Sequence, residues 1–234
     1  MCPSDFSRNR RSNSRHDVGE LFKFDRDMLR CAGMDLRLLA GVDEAGRGCL
    51  AGPLVCAAVV LDYAAAPQRV LAGLRDSKLL TARRRENFYQ TILTSCARWS
   101  VVSVSPDSLD ARGLHRSNLA ALASALRIVE AAYDVAVVDG FDLGRDELRC
   151  SAVVGGDRRS AAVAAASIVA KVTRDRLMHA LHAHYPAYGF DEHVGYATRR
   201  HRQVLAARGA CPFHRLSFAG VSTHQLSLPE PDDM

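Results

Sequence analysis

Residues 42–53 read Val-Asp-Glu-Ala-Gly-Arg-Gly-Cys-Leu-Ala-Gly-Pro, and they lie between two apolar runs. The first run covers residues 38–42, and the second covers residues 54–61 almost without interruption. A continuous apolar run of this length is typical of a strand that is covered on both faces of a sheet. The pattern therefore predicts two buried strands joined by a glycine-rich loop, with Asp43 and Glu44 where the first strand ends.

The two adjacent carboxylates place negative charge beside a loop whose glycines allow a phosphate to come close. Carboxylates and a phosphodiester repel each other unless a divalent cation lies between them. All-oxygen ligands suit Mg²⁺ or Mn²⁺ and do not suit zinc, which prefers nitrogen and sulfur. Asp43 and Glu44 therefore favour metal-dependent chemistry on a phosphate ester. For an isolated pair of acids, a hairpin turn with solvated carboxylates is the more common alternative.

The rest of the chain alternates between strand and helix patterns. Thr81 and Ser105 are predicted to cap helices, and Pro106 takes the first helical position after Ser105. Asp139 follows an apolar run and precedes Gly140, so it lies where another strand ends. Further strands are predicted at residues 99–104, 135–138 and 149–154, and helices at residues 82–97, 117–132, 160–184 and 198–208. Strands interleaved with helices indicate an α/β architecture.

Composition narrows the class of protein. A chain of 234 residues with 48% hydrophobic content can bury a large core, and the formal charge of +5 agrees with a polyanionic partner. Seven scattered cysteines indicate no disulfide framework and favour a reducing cytoplasm. His193, His201 and His214 fit no zinc template, and we expect them to make packing or backbone contacts. Neither a signal peptide nor a membrane span is predicted.

Several further short motifs follow one another along the chain. They are Asp76-Ser77-Lys78, Val137-Val138-Asp139-Gly140, Gly156-Asp157, the run at residues 164–175, Tyr188-Gly189-Phe190, His193-Val194-Gly195-Tyr196 and His214-Arg215-Leu216-Ser217-Phe218. Together with residues 42–53, this series resembles bacterial ribonuclease HII, the type 2 ribonuclease H, over roughly residues 38–220. Each motif alone is weak evidence, whereas the series in order is strong evidence.

The resemblance implies an α/β fold of the ribonuclease H-like type, in which a five-stranded mixed sheet is flanked by helices and followed by a C-terminal helical portion. It implies a catalytic domain over residues 38–185 and a C-terminal helical portion with a tail over residues 186–234. Residues 1–37 are expected to form a basic, partly disordered N-terminal extension with a short helix over residues 21–34.

The resemblance also implies an endoribonuclease that cuts the RNA strand of RNA–DNA hybrids and nicks duplex DNA on the 5′ side of embedded ribonucleotides. Hydrolysis with two metal ions leaves a 3′-hydroxyl and a 5′-phosphate, and it serves ribonucleotide removal in DNA replication and repair. The implied partners are these nucleic acids, with no membrane contact, and the protein is expected to be monomeric. Type 3 ribonuclease H activity and a catalytically silent hybrid-binding protein are the alternatives.

By the same resemblance, the catalytic residues and the ligands of two Mn²⁺ or Mg²⁺ ions are Asp43, Glu44, Asp139 and Asp157. Asp175 is the rival for the fourth position. We expect it on the outer face of a helix, paired with Lys171 or Arg174. Gly156 departs from the family pattern, because many bacterial relatives carry lysine beside the fourth acid.

The implied substrate-binding residues are Gly46, Arg47, Gly48, Lys78, Ser167, Lys171 and Tyr196. Backbone groups of the glycines can approach the ribose 2′-hydroxyl, which alone distinguishes RNA from DNA at a single residue. The ring of Tyr196 is expected to stack on the deoxyribose next to the ribonucleotide. Lys78, Ser167 and Lys171 are candidate phosphate contacts, although Lys171 fits equally well a structural role that neutralises the acids. Val194 stands where the family pattern has lysine.

Overall fold

The computed structural model describes residues 18–33 and 35–221, and within these ranges it confirms the predicted five-stranded mixed sheet. The strands are β1 (Leu38–Ala45), β2 (Leu54–Asp62), β3 (Arg98–Val104), β4 (Val135–Asp139) and β5 (Cys150–Val153), in the order β3-β2-β1-β4-β5. β2 is antiparallel to both β1 and β3, while β4 is parallel to both β1 and β5. The strands β1, β3, β4 and β5 therefore all end at one edge of the sheet, which we call the carboxyl edge.

Helices cover both faces of the sheet. They are α1 (Val18–Ala32), α2 (Ala82–Ser95), α3 (Pro106–Arg112), α4 (Leu114–Ile128), α5 (Ala161–His184), α6 (Phe190–His193) and α7 (Arg199–Arg208). As predicted, Thr81 and Ser105 cap α2 and α3, because their hydroxyls accept hydrogen bonds from backbone N–H groups three residues further on. The helix predicted at residues 117–132 is α4, which starts one turn earlier and ends before the 3₁₀ turn Glu130–Ala132.

Burial of the sheet on both faces explains the uninterrupted apolar run of β2. Successive residues of a strand point to opposite faces, so the run divides between two cores. Val55 and Val59 belong to the core that includes α1, α2 and α5. Cys56 and Val60 belong to the core that includes α3 and α4. A polar residue at any of these positions would leave an unpaired group in one of the two cores.

The chain after α5 packs against the end of that helix and against the loop between β1 and β2. Its apolar side chains, among them Tyr188, Phe190 and Leu205, form a third cluster with Met178 of α5 and Leu50 of the loop. The expected C-terminal helical portion is therefore present as α6 and α7. The expected division of the chain into domains stays a prediction.

Helix α5 lies directly against the backbone of β1. A Cβ atom at Gly41 would lie 2.0 Å from the carbonyl carbon of Ala162, so a larger residue would force the helix away from the strand. Ser160 caps the helix, because its hydroxyl accepts a hydrogen bond from Val163 N at 3.2 Å. The first turn of α5 is thus fixed close to the middle of β1.

A buried carboxylate ties α1 to the start of α5. Asp25 is fully buried, and its Oδ2 accepts hydrogen bonds from the Tyr63 hydroxyl and from Ala162 N, the latter at 3.0 Å. Burial raises the pKa of Asp25 to about 6, although hydrogen bonds from Ser160 and Tyr63 oppose this effect. The helix expected at residues 21–34 is therefore present as α1 and is packed on the domain.

Within residues 18–33 and 35–221, no helix combines the length and the apolar character that a membrane span needs. The start of the expected basic N-terminal extension falls on residues 1–17, and the end of the expected tail falls on residues 222–234. Both lie outside the described residues.

Replacing Asp25 with asparagine is expected to remove a pH dependence of stability. Because the pKa of Asp25 is raised from 3.8 to about 6 on folding, its favourable contribution is complete below 3.8 and is lost as the pH rises through about 6. The free energy of unfolding of the wild type, relative to Asp25→Asn, should fall by about 3 kcal/mol across this range. Urea unfolding of both metal-free proteins measures the difference.

Asp27→Asn is the control on the same helix, because Asp27 pairs with Arg30 at the surface. A constant stability difference between the wild type and Asp25→Asn at every pH would show that Asp25 does not titrate as described.

Candidate active site

The four predicted metal ligands come together at the carboxyl edge of the sheet. Asp43 and Glu44 lie at the end of β1, and Asp139 ends the neighbouring strand β4. Asp157 lies in the 3₁₀ turn that begins at Gly156 and leads into α5. A hydrogen bond of 2.6 Å from Gly156 N to Asp139 Oδ1 joins this turn to β4. The carboxylates therefore approach one another from two strands and one turn.

Burial and mutual repulsion raise the pKa values of the strand acids. The pKa of Asp43 lies well above its ordinary value because the carboxyl group is buried and because Asp139 and Glu44 carry like charge nearby. Burial and the charge of Asp139 raise the pKa of Glu44 to about 7, against the opposing charges of Arg47 and Lys78. Burial also raises the pKa of Asp139. Positive charge placed among these acids would therefore stabilise their ionised forms.

Two side chains outside the strands bring positive charge to Asp157. Lys78 Nζ lies 3.2 Å from Asp157 Oδ2, and Arg158 Nε lies 3.8 Å from Asp157 Oδ1. Burial lowers the pKa of Lys78, but the neighbouring carboxylates, Asp157 first among them, outweigh burial and raise it. The Lys78 side chain is 77% exposed, so it can leave the acid for another anion, and its phosphate contact stays a prediction.

The donor atoms of the site fit a hard divalent cation, because all of them are carboxylate oxygens. Oε2 of Glu44 is buried and has no hydrogen-bond partner among the described residues. A buried oxygen without a donor is available as a ligand. As the side chains stand in the described ranges, no three acidic, histidine or cysteine groups close into one metal shell. The site therefore supplies suitable atoms and charge, and binding of an ion requires side-chain movement.

Two buried polar side chains contact the strand acids. Ser167 of α5 donates to Asp43, which opposes the effect of burial on the pKa of that acid, and its hydroxyl lies 2.9 Å from Ser77 Oγ. Asn118 of α4 lies near Glu44 and opposes the effect of burial on the pKa of that acid, although its Nδ2 makes no hydrogen bond within the described part of the chain. Because Ser167 is only 5% exposed, the phosphate contact predicted for it finds no support in this placement. Sequence reasoning missed Asn118, since its position in an apolar helix gives no sign of its partner.

The loop over residues 46–53, which we call the glycine loop, is held by the buried guanidinium group of Arg174. This group donates to the carbonyls of Pro53 (2.9 Å), Ala51 (3.0 Å) and Val194 (2.8 Å). A Cβ atom at Gly46, whose φ is +87°, would lie 1.9 Å from Arg174 Nε. Only glycine therefore fits at the position where the loop crosses the arginine.

A second buried arginine holds the same loop from the C-terminal portion. Arg215 donates from Nε and Nη2 to Gly52 O at 3.0 and 2.9 Å, and from Nη1 to Arg47 O at 3.0 Å. Sequence reasoning assigned no such role to Arg174 or Arg215. One signal was present, because Arg174 follows Ala170 by four residues on the buried face of α5.

The tip of the glycine loop lies beside the strand acids. The guanidinium carbon of Arg47 is 4.8 Å from the centroid of the Phe141 ring, and its charge lowers the pKa of Glu44 against the effect of burial. Gly48 is exposed, and a Cβ atom there would meet nothing within 4 Å. The predicted substrate residues at positions 46–48 thus combine one packed glycine, one arginine near the acids and one glycine with open space beside it.

Tyr196 lies in the loop between α6 and α7, next to the glycine loop. Leu50 N donates to Gly195 O at 2.9 Å and joins the two loops. The tyrosine is 43% exposed, and two cations lie near its ring. Lys171 Nζ is 5.3 Å and Arg174 Cζ is 5.9 Å from the ring centroid. The predicted stacking residue therefore presents an accessible aromatic surface beside positive charge.

Three buried histidines fix the backbone around Tyr196, in agreement with the expected backbone contacts. His193 Nε2 lies 2.7 Å from Tyr188 O, and His201 Nδ1 lies 2.9 Å from Tyr196 O. His201 Nε2 and His214 Nε2 are 3.0 Å apart, so one ring donates and the other accepts. Burial lowers the pKa of each histidine, that of His214 to about 4. The rings are therefore neutral near pH 7 and hydrogen-bond as neutral groups.

Both departures from the family pattern lie at sensitive places. Val194 has φ 42° and ψ 38°, a left-handed conformation that a β-branched residue rarely adopts. Strain of this kind costs about 1–3 kcal/mol, and the hydrogen bond from Arg174 to the Val194 carbonyl opposes it. A Cβ atom at Gly156 would lie 3.3 Å from Asp139 Oδ1. The side chain of a lysine at this position would therefore start in close contact with the carboxylate of Asp139.

The expectation for Asp175 is corrected in part. Asp175 pairs with Lys171 at 2.8 Å, as predicted. It does not pair with Arg174, because that guanidinium group is committed to three backbone carbonyls. Its side chain is 19% exposed, so it is half-buried and does not lie on the fully exposed face of the helix. Since Lys171 pairs with this acid, a role for Lys171 in neutralising the four clustered acids finds no support.

Glu44→Gln is expected to stabilise the metal-free protein. The pKa of Glu44 is raised from 4.5 to about 7, so its contribution to stability is complete below 4.5 and is lost as the pH rises through about 7. Above that pH, the variant should melt at a higher temperature than the wild type in the presence of a chelator. Added Mg²⁺ should then raise the melting temperature of the wild type more than that of the variant.

Glu130→Gln removes an exposed acid outside the site and is the control for the change in net charge. A Glu44→Gln variant that melts with the wild type under both conditions would remove Glu44 from the repelling cluster.

Comparison with known proteins agrees with this arrangement. The profile of the ribonuclease HII family matches residues 40–221. The chain is 44% identical over 216 residues to the ribonuclease HII of Frankia casuarinae, an alignment that covers 92% of this chain and 88% of that protein. It is 47% identical over 215 residues to the ribonuclease HII of Azorhizobium caulinodans, which covers 92% of this chain and 80% of that protein.

The fold is similar as well. The crystal structure of the ribonuclease H2 from Pyrococcus horikoshii OT3 superposes with a TM-score of 0.68 at 28% identity, and the match covers 79% of this chain and 95% of that one. The family profile spans all of the sheet except the first two residues of β1, together with the four acids and both loops described above. The chain therefore belongs to the ribonuclease HII family.

Proposed function

We propose that this protein is an endoribonuclease that cuts the RNA strand of RNA–DNA hybrids and nicks duplex DNA on the 5′ side of embedded ribonucleotides. The observation that carries the proposal is the convergence of buried acids from β1, β4 and the turn before α5, beside the glycine loop. Acids that repel one another and face a polyanion can take part in catalysis when divalent cations bind between them and the phosphate. A silent hybrid-binding protein would gain nothing from such a cluster.

The proposed ligands of two Mg²⁺ or Mn²⁺ ions are Asp43, Glu44, Asp139 and Asp157. When bound, such ions activate a water molecule and stabilise the charge that develops on the leaving oxygen. Other groups of the chain hold the acids in position. Gly156 N fixes one oxygen of Asp139 at 2.6 Å, and Ser167 donates to Asp43. The chain supplies no covalent nucleophile in this scheme.

Lys78 and Arg47 are the proposed contacts for phosphates next to the cut. Lys78 pairs with Asp157 through an exposed side chain, so it can exchange that acid for a phosphate when a cation binds the acid. Arg47 Nε is buried and has no hydrogen-bond partner in the described part of the chain. A guanidinium group with an unused donor beside the acids suits a phosphate oxygen.

Backbone groups of the glycine loop are the proposed readers of the ribose 2′-hydroxyl. Reading this group requires donors and acceptors very close to the sugar. The open space beside Gly48 allows such an approach, and the rigid support from Arg174 and Arg215 holds the loop in one conformation. Tyr196 is proposed to stack on the deoxyribose next to the ribonucleotide, while Lys171 at its ring contacts a neighbouring phosphate.

The proposed products end in a 3′-hydroxyl and a 5′-phosphate, with the ribonucleotide kept at the 5′ end of the downstream piece. The proposed role is removal of ribonucleotides from DNA during replication and repair, by a monomer in the cytoplasm. Type 3 ribonuclease H activity is the alternative. The relatives that are 44% and 47% identical are both named ribonuclease HII, which favours the type 2 activity.

A duplex that carries one ribonucleotide tests the proposal directly. With Mg²⁺ or Mn²⁺, the wild type should cut once, on the 5′ side of the ribonucleotide, and end-labelled products mapped at nucleotide resolution report the position. Asp43→Asn, Glu44→Gln and Asp139→Asn should abolish cutting, because each removes charge that holds an ion without opening a cavity. An uncut substrate with the wild type under both metals would overturn the proposed function.

Asp157 and Asp175 form a matched pair for the fourth position. Asp157→Asn should lower turnover by orders of magnitude, because the carboxylate of Asp157 is near Asp139 and pairs with Lys78 at the acid cluster. Asp175→Asn should change turnover far less, since it breaks only the ion pair with Lys171. The reverse ranking in the same cleavage assay would make Asp175 the fourth acid.

Tyr196→Ala should lose most activity on a single embedded ribonucleotide. Stacking of an aromatic ring contributes about 1–3 kcal/mol in comparable contacts, which corresponds to roughly a 5- to 150-fold loss. Tyr196→Phe keeps the flat ring and should retain much of the activity. Cleavage of all-RNA hybrids should suffer proportionally less, because a 2′-hydroxyl already crowds the ring there. Equal losses on both substrates would show that Tyr196 does not read the junction.

A further inference from the structure

A groove lies at the carboxyl edge on the face of the sheet that α4 covers. It has a volume of about 680 Å³ and is bordered by α4, by the end of β3 and by the segment after β4. Exposed arginines line it from three separate segments, namely Arg112 at the end of α3, Arg116 in α4 and Arg145 after β4. We call this feature the arginine groove.

The positive charge of the groove is only partly compensated. Arg112 and Arg116 form no ion pair with any described residue. Arg145 has a long, exposed contact of 3.7 Å with Glu147, which also pairs with Arg127 at 3.2 Å. An exposed pair of this kind contributes about 0–1 kcal/mol and exchanges easily for another anion.

Asp110 of α3 does not line the groove and is turned toward the C-terminal portion. Both carboxylate oxygens of Asp110 are occupied, because they accept hydrogen bonds from Leu216 N at 2.7 Å and from Ser217 N at 3.1 Å. No carboxylate is among the side chains that line the groove. Three guanidinium groups in an open groove without a lining acid suit an extended anion.

The groove begins close to the acid cluster. Val55 of β2 pairs with Ala45 of β1 on one side and with Ser103 of β3 on the other. The groove-lining end of β3 is therefore about 10 Å, or two strand spacings, from the residue that follows Glu44. α4 connects the two places, since Ser117 lines the groove and the next residue, Asn118, is near enough to Glu44 to lower the pKa of that acid.

A second connection runs through the segment after β4. Arg47 of the glycine loop lies 4.8 Å from the ring of Phe141, and the ring of His115 lies 6.0 Å from the same phenylalanine. The following residue of α4 is Arg116, and the segment itself continues to Arg145 in the groove. Basic side chains thus extend from the glycine loop into the groove without leaving the carboxyl edge.

We propose that the arginine groove binds backbone phosphates of the duplex outside the nucleotides that are cut. The inference rests on the proposed function, because that function brings a duplex to the carboxyl edge. Tyr196 and Lys171 lie on the α5 side of the acids, and the groove lies on the α4 side, so a duplex over the acids contacts both. Such contacts add affinity that depends on salt and does not depend on sequence.

Duplex binding by the Arg112→Gln, Arg116→Gln, Arg145→Gln triple variant tests the groove. Asp139→Asn in all proteins keeps the ribonucleotide-containing duplex intact, and fluorescence anisotropy gives the affinity at several salt concentrations. Each phosphate contact contributes about −0.9 to the slope of log affinity against log salt. The triple variant should bind on the order of 10- to 100-fold more weakly at low salt, and the slope should become shallower by up to about 2.7.

Arg37→Gln with Arg98→Gln is the control for loss of positive charge away from the groove and removes two charges where the triple variant removes three. These exposed arginines lie at the opposite edge, where β1 and β3 begin. In the active background, turnover of the triple variant at saturating substrate should equal that of the wild type. Equal affinity and equal salt slope in the triple variant and the control would overturn the proposal that the groove binds phosphates, even if the wild type cuts as proposed. A wild type that binds the duplex without cutting it would overturn the proposed function and leave the groove result intact.

Discussion

Direct contact between α5 and β1 is the constraint on which the site depends. At Gly41 the helix backbone lies so close to the strand that a Cβ atom would be 2.0 Å from Ala162. This contact fixes the helix along the strand that ends in two of the acids. The turn that carries Asp157 leads into the same helix, and Ser167 lies on its face toward Asp43. A shift of α5 would therefore move the fourth acid and a hydrogen-bond donor of the first together.

The irregular loops depend on a different kind of contact. Arg174 and Arg215 are fully buried, although burial of a charged group is unfavourable unless hydrogen bonds compensate for it. Here the compensation comes from backbone carbonyls of the glycine loop and of Val194, which would otherwise be left unpaired. The two arginines thus make non-helical backbone rigid where a substrate is expected to be read. Rigid support of this kind is what close approach to a sugar requires.

The acid cluster, unlike the two arginines, lowers the stability of the metal-free fold. Burial and like charge raise the pKa values of Asp43, Glu44 and Asp139, so their ionised forms destabilise the metal-free fold. Lys78 offsets part of this repulsion through Asp157. A site that is strained without its cations and relieved with them binds those cations more tightly. The same electrostatics explains why positive side chains surround the acids along the carboxyl edge.

The sequence by itself determined the strands, the helix caps and the family, because these depend on apolar periodicity and on residues that are close in the chain. It also located each acid at the end of a strand or in a turn. Only the tertiary structure decided which polar groups meet, as the pairing of Asp25 with Ala162 across 137 positions illustrates. The spacing of Arg174 from Ala170 indicated a buried position but gave no sign of its three carbonyl partners, and the partial burial of Asp175 was not predicted for the same reason. Charged side chains are long and accept many partners, so their roles are decided by the packing of distant segments and not by their neighbours in the chain.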